Sequence, residues 1–119
     1  MYAEYASSKE VRETLITSGL CKKTVILENN ECILAYCGDT DKILIAIYKE
    51  DEWLYAKSVA EDLVNPHQWH CKDLKYTPYG LYSFAKKLSS LVEAIKSKIN
   101  LIHAQLIVGY RKLSEIEEG

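Results

Sequence analysis

Along this chain the spacing of apolar residues changes once. From Lys23 to Lys57 the apolar positions form four short runs, and from Pro78 to Glu118 they recur at intervals of three and four. The first pattern predicts strands and the second predicts helix. Ahead of both, Ser7-Ser8-Lys9-Glu10 has the form of a capping box, Val11, Leu15 and Ile16 supply a short apolar face, and Gly19 suits a helix C′ position. The runs 23–28 and 31–37 flank Asn29-Asn30, a pair that tolerates the backbone of a tight hairpin. Residues 38–41 make the next turn, 42–49 the third strand, Glu50-Asp51-Glu52 a further turn and 53–57 the fourth strand. The expected arrangement is an antiparallel meander of four strands. In its third strand Ile43, Ile45 and Ile47 alternate with Leu44, Ala46 and Tyr48, so both faces of the sheet need cover.

Placed at 100° per residue, Leu81, Phe84, Leu88, Leu91, Ile95, Ile99, Ile102, Leu106, Leu113 and Ile116 keep to one side of a helix. A single helix of that length would run about 60 Å at 1.5 Å per residue. A domain of this size has a radius of gyration of only about 13–14 Å. The arm therefore protrudes and pairs, or it breaks near Ser97 to Asn100. The fold class expected is α+β: one domain over 1–119, with a short N-terminal helix, a four-stranded meander and a C-terminal helical arm over 78–118, as one helix or two.

Such an arm outruns the sheet that could cover it, and the uncharged segment Leu101 to Tyr110 is apolar all round its axis. This leads to an expected homodimer joined through Leu88, Leu91, Ile95, Ile99, Ile102, Leu106 and Leu113, with His103 and Gln105 fixing register. A second surface is expected in the stretch Glu61 to Thr77, which fits no regular element. There Trp69, flanked by His67 and His70, is the natural anchor for a heterologous protein partner.

Charge and cysteine content refine this picture. Residues 28–62 carry nine acids against three lysines, and residues 72–112 carry eight basic residues against two acids, so a net charge of −2 conceals a polar chain. The opening residues lack a basic stretch followed by an apolar one, and no uncharged run reaches the roughly 18 residues of a membrane span. The location expected is cytoplasmic, without membrane contact, and there Cys21, Cys32, Cys37 and Cys71 are expected as thiols.

Of the chemistries the residues suggest, zinc binding by Cys32, Cys37, His67, His70 and Cys71 is the most substantial, since zinc takes thiolate and imidazole ligands in fours. Cys32 and Cys37, however, lie five apart on a strand and face opposite ways. Asp39 followed by Ile47-Tyr48-Lys49 resembles a nuclease arrangement whose second carboxylate is replaced by Ile47, so the metal site is incomplete. Ser83-Phe-Ala-Lys86 matches Ser-x-x-Lys without accessory motifs, and no glycine-rich phosphate loop is present. The lysines of the arm project at different angles and the pI is about 5.9, which argues against nucleic acid. The function expected is a non-catalytic protein-interaction module: an adaptor, a regulatory subunit, or an inhibitor of a larger enzyme such as phages and mobile elements make. No cofactor is expected. The alternative is a small metal- or thiol-site protein using the cysteines and histidines just named.

Overall fold

The computed structural model describes residues 7–28, 31–38 and 42–104. The Asn29-Asn30 connection, positions 39–41 and the arm from Gln105 onward, with Leu106, Leu113 and Ile116, lie outside the described residues. Helix α1 (Ser8–Thr17) starts where expected, the Ser7 hydroxyl accepting the Glu10 amide at 3.1 Å. It ends with Gly19 at φ 83°, a left-handed conformation that glycine adopts without strain.

Strands β1 (Val25–Glu28), β2 (Ile33–Cys37), β3 (Ile43–Glu50) and β4 (Trp53–Ala60) follow in the expected order, every neighbour antiparallel. A fifth strand, β5 (Leu81–Ala85), extends the sheet beyond β4. The sheet order is β1-β2-β3-β4-β5. This corrects both the four-strand expectation and the helical reading of residues 81–87. Leu81-Tyr-Ser-Phe-Ala85 satisfies a period of two as well as a spacing of three, and five residues are too few to separate the two. The open edge of β4 decides the matter, since its backbone groups are satisfied by another strand. Gly80 permits the entry: it sits at φ 95°, and a Cβ there would come within 2.6 Å of Val59 Cγ2 and 2.8 Å of the Ser58 carbonyl.

One face of the sheet carries Ile33, Ile43, Ile45 and Ile47 against α1 and α3 (Leu88–Ser97), which contribute Val11, Leu15, Leu91, Val92 and Ile95. Helix α3 begins ten residues later than the expected arm. It breaks at Lys98, within the interval anticipated for a break, and helical turns resume over 99–104. The Lys98 ammonium reaches back to the Tyr82 carbonyl at 2.9 Å and the Ser83 hydroxyl at 3.2 Å, holding the break against β5.

The opposite face bears Leu34, Leu44, Ala46, Tyr48 and Val59. Its cover comes from the chain itself: two 3-10 turns (Glu61–Leu63 and Pro66–Gln68) and helix α2 (Cys71–Tyr76) bring Val64, Cys71 and Leu74 down onto it. No second copy is needed to bury the two-faced third strand.

All four cysteines are paired, which corrects the expectation of thiols. Cys21–Cys37 ties the segment after α1 to the end of β2, and Cys32–Cys71 ties the start of β2 to α2. Their Cα separations of 5.4 and 5.7 Å lie within the normal range for a disulfide. Cys32 and Cys37 do face opposite sides of the sheet, as their spacing requires, and each is bridged within its own layer. Among the described residues no helix is long and apolar enough to cross a membrane.

Candidate aromatic binding surface

In an antiparallel sheet, residues paired across strands share a face and stand close together. Tyr48 pairs with Tyr55, and Tyr55 with Phe84, so three rings form a row across β3, β4 and β5. The Tyr48 and Tyr55 centroids are 5.0 Å apart with planes at 15°, and those of Tyr55 and Phe84 are 6.0 Å apart at 30°. Exposure rises along the row, from 6% at Tyr48 beneath α2 to 62% at Phe84 on the sheet edge. Tyr82, two residues before Phe84 on the same face, pairs with Lys57 and lies 6.1 Å from the Phe84 ring. Trp53, at the start of β4, is 47% exposed on the same face.

Cations border this surface on the α2 side. The Lys75 ammonium stands 5.6 Å from the Tyr48 centroid and 6.0 Å from that of Tyr55. Its pKa is held above the usual lysine value, first by the hydrogen bond with the Tyr55 phenol and then by that phenol's charge. Lys57 is buried, lies 4.7 Å from the Tyr82 centroid and donates to the Thr77 carbonyl at 2.9 Å; burial pushes its pKa down. The Tyr82 hydroxyl donates to the Lys75 carbonyl at 2.7 Å, fixing the end of α2. Burial raises the Tyr82 pKa.

At the other end, where the β3–β4 hairpin turns, Glu50, Asp51, Trp53, Tyr55 and Phe84 line an open cleft of about 440 Å³. Asp51 takes φ 56°, a conformation aspartate tolerates better than most residues, in the two-residue connection between the paired Glu50 and Trp53. A second cleft of about 500 Å³ lies between α1 and α3, lined by Glu13, Thr14, Thr17, Ser18, Ser89 and Glu93. Its lining is hydroxyl and carboxylate side chains, and it reads as a solvated groove.

The residues expected to carry function are distributed differently. Trp69 is half-buried, packs on the second layer, meets Tyr36 at 5.1 Å between centroids and donates its indole N–H to the Val64 carbonyl at 3.4 Å. His67 and His70 beside it are exposed. Replacing Trp69 with Ala is therefore expected to cost about 2 kcal/mol of stability through lost packing, read as a lower urea midpoint. A binding loss with an unchanged midpoint would show that Trp69 is an anchor and not part of the core. Leu91, Ile95 and Ile102 are fully buried in the chain's own first layer, and Leu88 and Ile99 pack against it.

The zinc alternative loses its three thiolate ligands in this state, because Cys32, Cys37 and Cys71 are all in disulfides. Ser83 points inward and Lys86 outward, so the Ser-x-x-Lys match does not assemble. The helical spacing that includes Phe84 gives no sign of the aromatic row. Its visible signal was the alternation Trp53-x-Tyr55-x-Lys57 and Tyr82-x-Phe84, which becomes one surface only when β5 pairs with β4. Compared with models of protein families, with characterised proteins and with solved structures, the chain gives no match.

Proposed function

We propose that this protein is a non-catalytic interaction module, an adaptor, inhibitor or regulatory subunit, that docks a protein partner on the aromatic face of β4 and β5. The observation that carries this reading is the ring row that starts buried at Tyr48 and emerges at Phe84 on the sheet edge. Aromatic side chains give large contact area at low entropy cost, and contiguous exposed apolar surface on a small domain marks interaction sites. Rigidity supports it as well: the rings stand on strands, and α2 covers the buried end of the row at Tyr48. The helix stripe is a weaker basis for association, because Leu91, Ile95 and Ile102 are used inside the subunit. The paired cysteines favour an oxidising compartment over the cytoplasm as the place of action.

Phe84→Ala combined with Trp53→Ala removes the two most exposed rings of the surface, neither of which belongs to a core layer. Stability should change by less than about 1 kcal/mol. Affinity for the partner, isolated by quantitative capture from the native host, should fall by about 2 kcal/mol or more. A partner held equally well by the double variant would sink the proposal.

A further inference from the structure

We infer that the cleft at the β3–β4 hairpin is a pocket for an arginine side chain presented by that protein partner, an inference that rests on the docking reading above. Its walls are Trp53, Tyr55 and Phe84, and its rim carries Glu50 and Asp51, followed by Glu52 in the same turn. Aromatic faces attract a cation, and carboxylates beside them add charge complementarity. Among the described residues, neither Glu50 nor Asp51 has a salt bridge or a side-chain hydrogen bond.

The chain already places one cation at this spot. The Lys86 ammonium stands 5.3 Å from the Trp53 centroid and 3.8 Å from a Glu52 carboxylate oxygen. With side-chain exposures of 59% and 83%, that pair is readily displaced. At the opposite end of the aromatic surface Lys57 and Lys75 are anchored by the fold, so the surface runs from a cationic end to an anionic one and sets a direction for what binds. Arginine suits the acidic end better than lysine: its planar guanidinium stacks on an indole while its N–H groups meet carboxylates, and it is less strongly hydrated.

The test uses the full chain, labelled with nitrogen-15, titrated with a blocked hexapeptide of alternating arginine and leucine. Its counterpart carries citrulline at each arginine, which keeps the shape and removes the charge. The arginine peptide should shift the Trp53 indole resonance and the amides of residues 50–53 and 84. It should bind at least tenfold more tightly than the citrulline peptide, and weaken at least fivefold in the Glu50→Gln, Asp51→Asn double variant. Equal binding of both peptides at those resonances would overturn the arginine pocket while leaving the aromatic docking surface standing. Absence of any shift with either peptide, or stronger shifts there with cellohexaose or a thymidine oligonucleotide, would overturn the pocket and the protein-docking reading together.

Discussion

Replacing Cys32 and Cys71 together with Ala should lower stability by about 4 kcal/mol on the chain-entropy account of a disulfide that closes a loop of this length, the two cysteines being 39 positions apart. The loss concentrates in one layer. Cys32–Cys71 is the covalent tie between the sheet and the segment over its second face, beside hydrogen bonds from the Tyr48 hydroxyl to the Cys71 carbonyl, the Tyr36 hydroxyl to Glu61, the Lys57 ammonium to the Thr77 carbonyl and the Tyr82 hydroxyl to the Lys75 carbonyl. Without the bridge, Leu44, Ala46 and Val59 lose secure cover, and the cover over Tyr48 at the buried end of the aromatic row loosens. Urea unfolding followed by tryptophan fluorescence measures the effect, since Trp69 sits in that layer. A midpoint shift worth less than about 1 kcal/mol would contradict the account. So would free-thiol titration of unreduced, denatured wild type, if it found all four cysteines reactive.

A comparably large effect is expected from Ile95→Glu. Ile95 is fully buried between α3 and the sheet, and an unpaired carboxylate there costs several kcal/mol or forces protonation. The variant should lose α3 from the first layer and unfold cooperatively, giving reduced helical circular dichroism and a non-native sedimentation profile at every concentration. A folded monomer replacing a wild-type dimer would show instead that Ile95 belongs to a seam between copies. The two outcomes separate because only intrachain burial couples this residue to the whole core.

How much of this was legible in advance depended on the range of the forces involved. The capped start of α1 is local chemistry: a serine hydroxyl three residues from the amide it accepts. The alternation in β3 already demanded two covered faces, because a strand with Ile43, Ile45 and Ile47 on one side and Leu44, Ala46 and Tyr48 on the other cannot leave either in water. A break in the C-terminal helical segment near residues 97–100 was one of two outcomes that its length allowed, and α3 breaks at Lys98.

Residues 81–85 were ambiguous because five positions fit two periods, and the choice between them belongs to the unsatisfied edge of β4. The cysteine pairing was likewise invisible: 16 and 39 positions separate the partners, and only the folded sheet brings their Cα atoms within about 6 Å. The aromatic surface shares that origin, since Tyr48, Tyr55 and Phe84 lie on three strands and meet through register. By itself the sequence determined the α+β class, the meander, the helix cap and the need for cover on both faces, all set by side-chain periodicity and neighbouring hydrogen bonds. The tertiary structure decided the fifth strand, the identity of the second layer, the disulfides and the exposed aromatic row, because each depends on contacts between segments distant in sequence.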